Sequence, residues 1–198
     1  MKRFFYDLEF LEDGNDIDTI SIGIVCEDGR EYYAINRDAR WNKIRLHDWL
    51  YDNVLPSLPS IDIKHNITLH GEQKPMWVLD NDHPDVKFRC RIANEVRDFL
   101  LQDDDKPQLW AWYAAYDHVA LCQLWGPMTA LHSEPLKGIP KLTYDLKQEC
   151  DSLGNPRLPE QAEGEHNALE DARHNLVRAR FLAEQASRSG HRTMLSGL

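Results

Sequence analysis

The sequence predicts a mixed α/β sheet covered by helices, because strand patterns come first and helices alternate with strands afterwards. Apolar residues alternate with a period of two near the start. The helical period returns at Arg89, and a long amphipathic stretch follows Asn167. Lys2 to Phe10 reads as a strand, with Phe4, Tyr6, Leu8 and Phe10 on one face and Phe5, Asp7 and Glu9 on the other. Acidic, turn-like residues run to Asp18. Thr19 to Cys26 is then a β-branched strand, Asp28-Gly29 signals a hairpin, and Glu31 to Ile35 completes an antiparallel meander.

Between Arg37 and Lys87 the texture changes, with prolines (Pro56, Pro59, Pro75, Pro84) and tryptophans (Trp41, Trp49, Trp77) crowded together. His47 to Val54 fits one short helix and the remainder fits ordered irregular chain. The segment reads as an insertion, about 37–87, in a single domain spanning 1–198. Ile92, Val96, Phe99 and Leu100 then keep helical spacing until Asp103-Asp104-Asp105. Gln108 to Tyr113 reads as a buried strand, Asp117 to Trp125 as a helix stopped by Gly126-Pro127, and Thr143 to Leu153 as another helix. The last helix starts near Asn167, with Leu169, Ala172, Leu176, Ala179, Leu182 and Ala183 on its apolar stripe.

The 198 residues are 42% apolar, enough for a real core. Lys and Arg number 23 against 33 Asp and Glu, a net charge of −10. That excludes a basic coat for nucleic acid or anionic lipid, but not an enzyme that meets phosphates through metal ions. Cys26, Cys90, Cys122 and Cys150 are scattered without a CxxC pair, so a reducing interior is expected. Neither a signal peptide nor a membrane span is expected, and the expected location is cytoplasmic.

Asp7 and Glu9 are the first anomaly. Two residues apart on an apolar strand, they share a face, and like charges so placed are costly unless a cation sits between them. Asp117 is the second, an acid at a strand-to-helix turn, where α/β folds gather ligands. The third is His166-Asn167-Ala168-Leu169-Glu170-Asp171-Ala172. Asn167 and Glu170 have capping-box spacing, which puts His166 just before the cap and Asp171 at the fourth helical position. Those two positions meet in a hydrophobic staple, so an imidazole and a carboxylate are expected to converge there.

Acid-x-acid on a first strand, an acid at a later strand-to-helix turn and His-x4-Asp opening a last helix resemble the DEDDh family of 3′→5′ exonucleases. That family has a ribonuclease H-like mixed sheet, in which parallel strands follow the meander. Asp7 to Gly14 and Trp112 to Leu121 look most like the RNase AS branch, polyadenylate-specific 3′-exoribonucleases near RNase T. The resemblance implies a metal-dependent enzyme that releases 5′-nucleoside monophosphates from single-stranded RNA 3′ ends, working as a homodimer. It also implies two Mg²⁺ ions about 3.5–4 Å apart, with Mn²⁺ able to substitute. Asp7 would bridge both ions, Glu9 and Asp171 would complete the nucleophile-side ion, and Asp117 would serve the leaving-group side. His166 would take a proton from the attacking water. Phe10 stands where many relatives have Thr, and Tyr113 where many have Asn, departures that bear on sugar and base recognition. Phe10, Leu11 and Tyr113 are therefore the substrate-binding candidates. A DNA exonuclease with the same site and a non-catalytic module on the same fold are the competing readings.

Weaker constellations stand beside this one. His65, His70 and His83 with Asp80 and Asp82 match no familiar zinc spacing. Arg173, Arg178 and Arg180 fit a solvated helix face or a phosphate ledge, and Trp110, Trp112 and Tyr113 fit core better than a stacking platform.

Overall fold

The computed structural model describes residues 1–69 and 71–198, so the expectation for His70 lies outside the described residues. β1 (Lys2–Glu12), β2 (Ile17–Cys26) and β3 (Glu31–Asn36) form the expected antiparallel meander. The next segment holds α1 (Trp41–Ile44), α2 (Asp48–Asn53), the hairpin β4 (Asn66–Leu69) and β5 (Glu72–Pro75), and β6 (Val86–Lys87). α3 (Arg89–Leu100), β7 (Pro107–Ala111), α4 (Ala115–Gln123), β8 (Thr143–Asp145), α5 (Leu146–Ser152) and α6 (Ala168–Ser189) follow. The main sheet has the order β6-β3-β2-β1-β7-β8, with β7, β8 and β6 each parallel to the neighbour they join. The mixed sheet flanked by helices is as expected.

The two faces of β1 bury different helices, as period-two alternation requires. Phe4, Tyr6 and Leu8 pack with Ile92, Val96 and Leu100 of α3 and Leu121 of α4. Phe5 packs with Leu146 of α5 and with Ala172, Ala179 and Leu182 of α6. A third cluster joins Leu11, Ile20 and Ile35 of the sheet to Ile44, Leu50 and Val54. The 37–87 segment is thus less irregular than its composition implies. It anchors helices on the end of the sheet and returns β6 to the sheet's edge.

Thr143 to Leu153 is not one helix. Thr143, Tyr144 and Asp145 pair with Leu109, Trp110 and Ala111, and only then does Asp145 cap α5 by accepting from Lys147 N. A β-prone run of three residues is too short to declare a period. Among the described residues, no helix is long and apolar enough to cross a membrane, and all four cysteines are free.

Candidate active site

Asp7 and Glu9 share the face of β1 that α6 approaches, opposite Gly23 and Ser21 of β2. A Cβ on Gly23 would lie 2.2 Å from the Ala168 carbonyl oxygen and 2.4 Å from Leu169 Cα. The missing side chain lets the first turn of α6 rest directly on the sheet beside Asp7. Asn167 caps that turn, its side-chain oxygen accepting from Leu169 N at 3.1 Å and Glu170 N at 3.3 Å. The other half of the capping box does not form. Glu170 pairs with Arg173, and the Asn167 N–H donates to the Gly164 carbonyl instead.

Asp171 and His166 do converge. The His166 backbone N–H donates to Asp171 Oδ2 at 2.9 Å, and Gln161 Nε2 donates to Oδ1 at 2.7 Å. His166 adopts a left-handed backbone with φ of 65°. One ligand atom each from Glu9, His166 and Asp171 lie within 4.8 Å of one another. Asp117 arrives from the opposite side. The β1–β7 ladder ends at the Phe5–Trp110 pair, and beyond it the Leu8 N–H donates to Asp117 Oδ1 at 2.9 Å. Asp117 is the third residue of α4, which begins two residues earlier than its apolar pattern implies.

Burial is the largest cause of every carboxyl shift here. It raises Glu9 to about 8, with Asp171 and Asp117 adding repulsion. Asp117 rises to about 7 despite the Leu8 N–H, and Asp7 stands well above the carboxylate range under burial and repulsion from Asp117, Glu9 and Asp171. Asp171 is also raised. Without a cation, these groups hold protons that solvated carboxylates would release. Hard oxygen donors converging in a desolvated place fit Mg²⁺ or Mn²⁺.

Among the described residues, a cation faces the cluster from α6. Arg178 is attracted to Asp171 and Asp7, stacks over Trp112 at 4.8 Å and donates to Asn175 Oδ1 at 2.9 Å. Buried Asn175 in turn donates to the Tyr6 carbonyl at 3.1 Å, tying α6 to β1. The three helix arginines therefore diverge, since Arg173 is bound by Glu31 and Glu170 and Arg180 is exposed.

The substrate-binding candidates separate. Half-buried Phe10 stacks with Tyr116, ring centroids 6.4 Å apart and planes 16° apart, and Tyr113 is exposed with φ of 55°. Leu11 is a correction: it is buried in the third core cluster and offers no face to a ligand. Trp110 is core, as expected, whereas half-buried Trp112 meets Arg178. Among the described residues, His65, His83, Asp80 and Asp82 form no metal-holding group. Sequence reasoning grouped Arg178 with Arg173 and Arg180 as a solvated face or a phosphate ledge, but did not single out Gly23, Gln161 or Asn175. Only Gly23 carried a signal, as a glycine inside a β-branched strand.

Two carboxylates on a central strand of a mixed α/β sheet, joined there by Asp117, Asp171 and an imidazole, make a donor set that fits a divalent metal ion. No family model matches the chain. Two Mycobacterium tuberculosis proteins, the 3′-5′ exoribonuclease Rv2179c of strain H37Rv and its counterpart in strain CDC 1551, are 41% identical over 181 residues. The alignment spans 91% of this chain and 92% of each relative. The chain belongs to this 3′-5′ exoribonuclease family. The structure of S. pombe Pop2p in its Mg²⁺- and Mn²⁺-bound form aligns with 97% of this chain and 85% of its own, at 13% identity and a TM-score of 0.46, a distant resemblance of chain path.

Proposed function

We propose that this chain is a metal-dependent exoribonuclease that releases 5′-nucleoside monophosphates from single-stranded RNA 3′ ends, with adenylate tails preferred. The observation that carries the reading is the convergence of Glu9, His166 and Asp171 within 4.8 Å, with Asp117 bonded onto the same strand from the other side. Two Mg²⁺ ions, or Mn²⁺ in their place, would be held by Asp7, Glu9, Asp117 and Asp171 and would supply charge neutralisation at the phosphate and a more acidic attacking water. The His166 imidazole would take a proton from the attacking water. Phe10 on Tyr116, and exposed Tyr113, offer flat faces to the terminal bases. The likeness of Asp7 to Gly14 and Trp112 to Leu121 to the RNase AS branch supports the adenylate preference.

The test is a time course on RNAs that differ only in their 3′ homopolymer, beside a matched DNA, with and without Mg²⁺. Shortening from the RNA 3′ end that needs Mg²⁺ and runs fastest on oligoadenylate is expected. Equal rates on every tail would remove the adenylate preference, faster loss of DNA would make the chain a DNA exonuclease, and no turnover of either would overturn the reading.

A further inference from the structure

We propose that Trp49 and Ser57, from the segment between β3 and β6, are positioning residues that hold the His166 imidazole against the carboxylates. The inference rests on the reading of His166 as the proton acceptor. His166 precedes the cap of α6, so helix geometry does not fix its side chain, and its left-handed backbone needs support from its surroundings. Among the described residues, three anchors are present. Asp171 takes the backbone N–H, Ser57 shares its one O–H between the His166 carbonyl at 3.1 Å and the Val54 carbonyl at 2.8 Å, and Trp49 meets the imidazole edge to face, with centroids 4.9 Å apart and planes 75° apart. Two of the three come from a part of the chain more than a hundred residues away.

Among the described residues, the imidazole nitrogens make no hydrogen bond, whereas a carboxylate or carbonyl partner commonly orients such a ring. With no such partner among the described residues, the ring's orientation comes from packing. Trp49 supplies it. The residue is 48% exposed, so core burial does not explain its place beside the site. Its own position is secured from behind. Asn53 donates to the Trp49 carbonyl at 2.8 Å, His47 caps α2, and the adjoining Leu50 and Val54 are buried against Ile20 and Ile35 of the sheet. The brace thus runs from the sheet through α2 to the imidazole.

The experiment combines single-turnover cleavage of a tailed RNA, calorimetric Mg²⁺ titration and the NMR signals of the His166 ring protons. Trp49→Ala is expected to lower kcat by about 10- to 100-fold, the scale of a reacting group displaced by about 1 Å. KM, Mg²⁺ affinity and the thermal midpoint should stay near wild type, and Trp49→Phe should recover most of the rate. In the metal-free protein, the His166 ring protons should lose the ring-current displacement that Trp49 imposes. Ser57→Ala should act in the same direction and more weakly. On a His166→Ala background, Trp49→Ala should cost nothing further, because the group it positions is gone. The same fold loss on that background, or a rise in KM with kcat intact, would make Trp49 an RNA contact and overturn the proposal. Wild-type cleavage by His166→Ala would instead remove the proton-acceptor reading itself.

Discussion

Gly23→Ala tests how closely the site depends on the approach of α6 to the sheet. The added methyl would sit 2.2 Å from the Ala168 carbonyl oxygen and 2.4 Å from both Ala168 C and Leu169 Cα. A relaxed carbon–oxygen contact is about 3.3 Å or longer, so the first turn of α6 must retreat by about 1 Å. All three atoms are backbone, and no side-chain rotation relieves the clash. Asp171 follows two residues after Leu169, and His166 is bonded to it, so both move with the turn. The Asn175 bond to the Tyr6 carbonyl, 3.1 Å at present, would be strained by the same displacement. Overpacking of this kind costs about 1–3 kcal/mol of stability, and a shift of about 1 Å at a reacting group costs about 10²-fold in rate. Denaturant unfolding beside single-turnover cleavage measures both. Gly29→Ala is the control, because Gly29 has φ of 94° in open space at the far end of the meander. It should lose stability through backbone strain and keep its cleavage rate. A Gly23→Ala protein that cleaves at the wild-type rate would refute the claim that the close approach sets the site.

Two further predictions concern the carboxylates and the histidine. In the metal-free folded chain, Glu9 at about 8 and Asp117 at about 7 retain protons that the unfolded chain has already released. The contribution of these two groups to metal-free stability is therefore greatest below about pH 4 and is lost as pH rises towards about 8, and stabilisation by saturating Mg²⁺ should grow over that window. Denaturant midpoints with Mg²⁺ and with chelator would show it, and a Mg²⁺ effect that is flat with pH would exclude it. The second prediction separates Asp171 from His166. Asp171→Asn should weaken Mg²⁺ binding and hydrolysis together, while His166→Ala should keep metal and RNA bound and lose about 10²–10⁴-fold in rate. Equal loss of calorimetric Mg²⁺ affinity in both variants would make His166 a ligand or a structural residue.

The chemistry-bearing residues were legible because each sits where local physics disfavours it. Asp7 and Glu9 interrupt an apolar strand on one face, and period-two geometry alone places them together. His166 and Asp171 were paired by locating the cap at Asn167, a signal contained within a few residues, and the structure keeps the cap while replacing half of the box. Leu11 shows where such reasoning stops. Alternation puts it on the face of Glu9, but the third core cluster covers that part of the face, and a period does not say what arrives to cover it. Thr143 to Asp145 failed for the same reason, since pairing with β7 rather than their own pattern makes them a strand. The supporting residues are ordinary types in ordinary places. Ser57 meets His166, and Asp117 meets Leu8, across 109 residues, and Asn175 meets Tyr6 across 169. Function forces unusual residues into unusual positions and so leaves a local trace. Their support needs only a hydroxyl, an amide or an indole at the right place in space, and that place is set by the whole fold. Gly23 lies between these cases: a glycine among β-branched residues announces that some backbone comes close, and only the fold names α6.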